Sequence, residues 1–335
     1  MSHVPRLLVL PGAQKAGTTV LWASLLGHPS IHALSIKEPF YFSLPVETFS
    51  ARAAWYRGLF PRCIEDGYIL DASTTYLSCP RAPARVSQAS PGARVVVVLR
   101  DPARRAYSGH QQVAKRTRPA DRRSLAEVVR ALHDVQGQPN ALAQLEAQVV
   151  RSLVPQGVID GAAFGRHVAR FQGQDPGLEP EQSLWPYRYL TESLYSLHLP
   201  AWERSFGQRV RVVFFEELVR EPGRVLAEVV EFLGLPPPEP PLVLSERRNV
   251  TVAPRNAIAR QLLRWRLETS LRHVVTAVRR LAPGVHRRLS HSLVRRPKPG
   301  ASELQTLRLL LASEYEYWLE REPRVRDLWD GPWRR

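Results

Sequence analysis

Cysteine is scarce: Cys63 and Cys79 are the only two in 335 residues. That scarcity excludes a secreted disulfide framework and a zinc site of paired thiolates, and leaves free thiols as the reading. Long hydrophobic runs are missing as well, since no stretch reaches the roughly 18 apolar residues a membrane span needs. The N-terminus has no apolar segment behind a positive charge, because Arg6 leads straight into Leu7-Leu8-Val9-Leu10 and a glycine-bounded loop. A cytoplasmic location is expected. Lysine is nearly absent, with four against 43 arginines in a net charge of +16. The arginines are spread over every segment. Neither a basic face interleaved with aromatics nor a helix-turn-helix pattern is present, so nucleic acid is not an expected partner. The summed positive field still attracts small anions.

What is present is an ordinary globular composition, 44% apolar and 23% charged, enough to bury a large core. Leu7 to Leu10, Tyr68 to Leu70, Arg94 to Leu99 and Val210 to Phe215 are continuously apolar, as strands covered on both faces must be. Helical stretches alternate with them: Thr19 to Leu26, Phe49 to Leu59, Pro102 to Ala114 and Leu190 to Phe206. This alternation predicts an α/β fold, a parallel sheet with helices on both faces. We expect a single domain over 1–335, with a helical excursion over about 122–186 and a basic C-terminal helical region over about 255–320. Within the excursion, Leu125 to Arg151 has helical spacing and Gln172 to Pro186 reads as a loop. Ile258 to Leu281 is a basic amphipathic helix that either packs on the core with snorkelling arginines or makes weak peripheral contact with a membrane. His286 to Gly300 reads as a loop before a last helix, Glu303 to Leu319. Oligomeric state is not legible.

Three segments carry chemistry. Leu7 to Leu21 reads strand, glycine-bounded loop, helix, the arrangement that turns backbone N–H groups and a helix N-terminus toward a phosphate. Gly12-Ala13-Gln14-Lys15-Ala16-Gly17-Thr18-Thr19 resembles the triphosphate loop, yet Thr18 stands where that motif needs lysine, and the lysine is Lys15. A plain turn is the bland alternative, but a lysine among small residues in a buried turn is costly without a ligand. A kinase using Mg-ATP is the rival activity. The second segment is the strand Val95 to Leu99, ending in Arg100, an N-cap Asp101 and a first-turn Pro102. Ser108 lies two helical turns on, on the side of Arg104 and Arg105 by spacing. Arg100, at the carboxyl end of a central strand, lies where open α/β sheets bind ligands; a structural ion pair is its bland reading. The third is Lys37-Glu38-Pro39-Phe40-Tyr41-Phe42. A carboxylate beside apolar rings has a raised pKa and can serve as a general base, although a surface pair with Lys37 is the plainer reading of Glu38. His110 is the rival base.

In these segments the sequence resembles the sulfotransferase superfamily, in particular its carbohydrate, heparan sulfate-like type and the bacterial relatives of that type. The loop looks like the family's 5′-phosphosulfate motif, G-x-Q-K-x-G-T-T. By that resemblance the fold is a P-loop-containing parallel sheet, and the co-substrate is 3′-phosphoadenosine 5′-phosphosulfate (PAPS). Gly12, Gln14, Lys15, Ala16, Gly17, Thr18 and Thr19 would hold its 5′ end, with Lys15 on the leaving group. Arg100 and Ser108 look like the clamp on the 3′-phosphate, and Glu38 like the base on the acceptor hydroxyl. A phosphosulfate carries fewer charges than a triphosphate, so transfer is expected without a metal. Arg296 and Lys298, in Arg295 to Gly300, occupy the place of the family's lid over the nucleotide. The family's E-K-S-x-x-Y segment near the acceptor appears here as Asp71-Ala72-Ser73-Thr74-Thr75-Tyr76, with Ala72 replacing the lysine. That departure weakens transfer of the heparan sulfate acceptor and raises a third possibility, a nucleotide or anionic-glycan binding module without chemistry. The resemblance implies a carbohydrate or other small-molecule acceptor, which Asp71 and Ser73 would help to shape. Tyr195 would be a core aromatic or a nucleotide contact.

Overall fold

Short runs of valine, isoleucine and leucine bury both faces only when they pair side by side beneath helices. In a computed structural model of the chain they do so as β1 (Arg6–Val9), β2 (Ile31–Ala33), β3 (Tyr68–Asp71), β4 (Arg94–Leu99) and β5 (Val210–Phe214). These form one parallel sheet in the order β2-β3-β1-β4-β5. The structure describes residues 6–61, 67–114, 120–135, 137–173, 175, 177–245, 253–254, 294–295 and 299–329. The expected helix Ile258 to Leu281, together with Arg296, Lys298 and Cys63, lies outside the described residues. Cys79 is a buried free thiol. No described helix is long and apolar enough to cross a membrane.

After β1 the chain enters α1 (Thr18–Leu25). Helices α2 (Val46–Ala51) and α3 (Ala53–Gly58) lie between β2 and β3, and α4 (Ala82–Ala89) leads to β4. From β4 the chain runs through α5 (Pro102–Ala114) into the excursion, made of α6 (Leu125–Arg130), α7 (Pro139–Leu153), α8 (Ala163–Gln172) and α9 (Pro180–Ser183). It returns along α10 (Tyr195–Phe206) to β5, followed by α11 (Phe215–Arg220) and α12 (Pro222–Phe232). The described C-terminal helices are α13 (Ala301–Leu310), α14 (Ala312–Arg321) and α15 (Val325–Leu328).

Four expected elements are divided differently from the sequence reading. Phe49 to Leu59 belongs to two helices that meet at Arg52, whose backbone leaves helical geometry (φ −97°, ψ 7°). Leu125 to Arg151 is interrupted before Pro139, which has no N–H to continue a helix. Leu190 to Phe206 opens with a 3-10 turn over Thr191–Ser193, held by the buried Glu146 carboxylate that accepts the Leu190 and Thr191 N–H groups (2.9 and 2.7 Å), and becomes α-helical at Tyr195. Glu303 to Leu319 breaks at Leu311. The Gln172 to Pro186 loop contains the short α9.

Two apolar cores result. One wraps the sheet, with Trp202, Phe214, Trp318 and Trp329 fully buried. The other joins α5 to the excursion and α13 through Tyr107, Leu142, Leu190, Leu307 and Leu310.

Candidate active site

From β1 the chain winds outward to β2 and β3 on one side, while β4 pairs with β1 on the other. The carboxyl ends of β1 and β4 therefore form the topological switch point, the crevice where open α/β sheets bind ligands. The glycine loop and Arg100 both emerge there.

The loop is laced to the sheet. Ala13 N donates to Val98 O (2.7 Å), Val98 N to Gly12 O (2.8 Å), and Leu77 N to Pro11 O (2.9 Å). Lys15 adopts the left-handed region (φ 70°), rare for a residue with a Cβ. Gly17, also left-handed (φ 95°), caps α1, and a Cβ there would stand 2.5 Å from Phe215 Cδ2. Arg100 Nη1 donates to Lys15 O (3.1 Å), and the guanidinium lies 5.0 Å from the centre of the Phe215 ring. Burial pulls the Arg100 pKa down, opposed by Glu216. Its Nε is buried without a partner among the described residues. An orphaned guanidinium N–H beside a helix N-terminus and a strained lysine fits an anion, and fits a phosphate group in particular.

On α5, Asp101 caps the helix by accepting Arg104 N (3.0 Å). Ser108 follows one turn after Arg104 and is half-buried. Arg105, expected from its spacing beside Ser108, instead turns inward; it is 1% exposed, and its Nε donates to Ser193 Oγ (2.7 Å). His110 is also buried, its ring bonded to Arg123 O (2.9 Å) and the Gln111 amide (3.2 Å). It is not among the residues that line the pocket described below. Tyr195 is a core residue whose hydroxyl donates to Arg100 O (2.9 Å).

Glu38 and Phe40 both have φ 58°, so the loop around Pro39 is held in a strained shape. Its restraints come from several elements. Phe40 N donates to Ser73 Oγ (3.2 Å), Phe42 N to Tyr76 Oη (3.3 Å), and Gln172 Nε2 to Pro39 O (2.6 Å). Behind them Asp71 is fully buried and accepts the hydroxyls of Ser73 (2.8 Å), Tyr56 (2.8 Å) and Tyr76 (3.0 Å). Burial raises its pKa to about 6, against those hydroxyls and the Lys37 charge. Tyr41 stacks on Tyr56 with ring centres 4.2 Å apart. Lys37 Nζ does pair with Glu38 Oε1 (2.7 Å), the contact expected of a surface pair, yet both side chains are half-buried.

Glu38 faces an open pocket that Gln14, from the phosphate loop, also lines. Phe40, Thr74 and Thr75 complete one side, and Gln112, Phe164, His167, Trp185 and Glu192 add walls from α5, the excursion and the turn before α10. Asp71 and Ser73, expected to help shape the acceptor pocket, are fully buried and lie outside its lining, which takes Thr74 and Thr75 from their segment. Gln112, His167 and Glu192 were not singled out, since nothing local distinguishes them from solvated polar residues.

A phosphate-loop α/β protein with an anion cradle opening on a carboxylate-lined pocket is the class defined by this geometry. Residues 5–249 match the family model described as a sulfotransferase domain, and the chain belongs to that family of enzymes. It is 32% identical to human heparan sulfate glucosamine 3-O-sulfotransferase 3B1 over 234 residues, 70% of this chain and 47% of that protein. Mouse heparan sulfate glucosamine 3-O-sulfotransferase 6 is 29% identical, covering 69% of this chain and 52% of the relative. The chain thus spans about half the length of these curated relatives. Among solved structures, a sulfotransferase from Alicyclobacillus acidocaldarius aligns with 78% of this chain and 92% of its own (TM-score 0.46, 20% identity).

Proposed function

We propose that the protein transfers a sulfuryl group from PAPS to a hydroxyl of a carbohydrate or glycosylated small molecule. The observation that carries this reading is the shared pocket: the phosphate loop, through Gln14, and Glu38 open on the same cavity. The left-handed loop of Gly12 to Thr19 would hold the 5′-phosphosulfate, with Arg100 and Ser108 on the 3′-phosphate. Glu38 takes the acceptor proton as the hydroxyl oxygen bonds to sulfur and the bridging S–O bond breaks in line with it. Lys15 stabilises the negative charge left on adenosine 3′,5′-bisphosphate (PAP), the kind of contribution that is usually the largest in catalysis. The names of the relatives favour a glycan acceptor.

Thermal-shift titration with PAP and with ATP, each with and without EDTA, tests the donor. Stabilisation by PAP that EDTA leaves unchanged is the expected result. Stabilisation by ATP alone, and only with Mg²⁺, would overturn the donor assignment in favour of a kinase. Transfer from radiolabelled PAPS to a panel of sugars, glycolipids and phenols then tests the chemistry; binding without transfer to any of them would leave only a binding module.

A further inference from the structure

The pocket in front of Glu38 carries information about what enters it. Among the described residues its lining holds two carboxylates, Glu38 and Glu192, and neither lysine nor arginine. Glu38 already has Lys37 as its partner. Glu192 is only 7% exposed, and among the described residues no hydrogen bond reaches its carboxylate. Arg105 lies within electrostatic reach of Glu192; its Nε and Nη2 donate to Ser193 Oγ and Tyr189 O, while its Nη1 is buried with no partner among the described residues. Gln112, from α5, adds a buried Oε1 with no partner among the described residues. A buried acceptor without a donor is unfavourable, so the Gln112 oxygen is suited to a ligand hydroxyl that donates to it, and the Glu192 carboxylate in the same lining can accept another. Apolar surface completes the site. Phe164 packs edge-on to Phe40 (5.7 Å between centres), and the half-buried Trp185 offers a second ring. Flat apolar walls with a few fixed polar groups are the usual way to orient a small ligand.

We infer that the acceptor group seated here is an uncharged polyol ring, a hexose without carboxylate or sulfate. Its apolar face lies on Phe164 and Trp185, and its hydroxyls donate to Glu192 and Gln112. This rests on the sulfuryl-transfer reading and narrows its acceptor. An anionic sugar would bring like charge against the Glu192 carboxylate. The curated relatives are named for a polyanion, heparan sulfate; this pocket selects against one.

Phenyl β-glucopyranoside and phenyl β-glucuronide differ at C6, a hydroxymethyl in one and a carboxylate in the other, and serve as probes beside phenyl β-xylopyranoside, which lacks C6 and controls for the lost hydroxyl, with PAP release as the readout. The glucoside should be sulfated with kcat/KM at least about ten-fold above the glucuronide. Glu192→Gln should shrink that ratio by relieving the repulsion, and Trp185→Ala should raise KM for the glucoside while PAP binding is unchanged. Equal or better turnover of the glucuronide, or a ratio untouched by Glu192→Gln, would overturn the inference. PAP binding with none of the glycosides sulfated would also overturn it and leave the donor assignment standing. If PAP itself does not bind, the underlying sulfuryl-transfer reading fails first.

Discussion

Lys15 and Glu38 divide the proposed work at the residue scale, one stabilising the leaving group and the other taking the proton. Removing a preorganised charge-stabilising group costs about 10²–10³ in rate, so Lys15→Ala should lower kcat by that order, measured as PAP release. Glu38→Gln keeps the shape of the side chain and removes the base, with an expected loss of about 10²–10⁴ and little change in PAP affinity. Asp71 makes a different, thermodynamic prediction. Its ordinary value of 3.8 rises to about 6 in the fold, so the folded protein binds this proton more tightly than the unfolded chain. The associated stability is fully present below about pH 4 and declines as pH rises through 6. Asp71→Asn should remove this contribution. The wild-type minus variant difference in unfolding free energy, from urea titrations at successive pH values, should fall by up to about 3 kcal/mol across the window. Glu216 and Glu314, each raised to about 7 by burial, extend the same direction of slope in both proteins and cancel in the difference.

At the scale of elements, the site depends on how β1 hands over to α1. Gly17 is needed twice there, for its left-handed φ of 95° and because Phe215 occupies the space a Cβ would take. Gly17→Ala should lower Tm and weaken PAP binding. Adding Phe215→Ala should recover only part of the stability, since the clash is relieved and the backbone strain is not. Equal stability of Gly17→Ala and wild type would show that the loop adjusts freely. The strand-loop-helix unit was legible because its signals are local: an apolar run, two glycines and a polar helix start. β4 and α5 were legible to the residue, Arg94–Leu99 and Pro102–Ala114, for the same reason. The helix breaks at Arg52, Leu311 and before Tyr195 were not. At the last of these, the competing acceptor, Glu146, comes from 44 residues away.

On the scale of the whole molecule, the match to the family model ends at residue 249, but the core does not. Trp318 packs edge-on to Phe214 of β5 (5.9 Å) and Tyr195 (6.5 Å), and Glu314 accepts both Trp318 Nε1 (2.7 Å) and Ser196 N (3.0 Å). Trp318→Ala should therefore cost about 3–5 kcal/mol in denaturant unfolding. A cost below about 1 kcal/mol would make α14 an accessory. The sequence by itself determined four of the five strands of the parallel sheet, all but β2, together with the phosphate loop and the order of the segments around it, because each is encoded within a few neighbouring residues. It also singled out Glu38. Only the tertiary structure decided that Arg105 and His110 belong to the core, that Asp71 organises the Glu38 loop, and that Glu192 and Gln112 line the same pocket as Glu38. Those facts depend on which surfaces meet when α5 and the excursion pack against the loops at the head of the sheet. No local pattern in the chain carries that information.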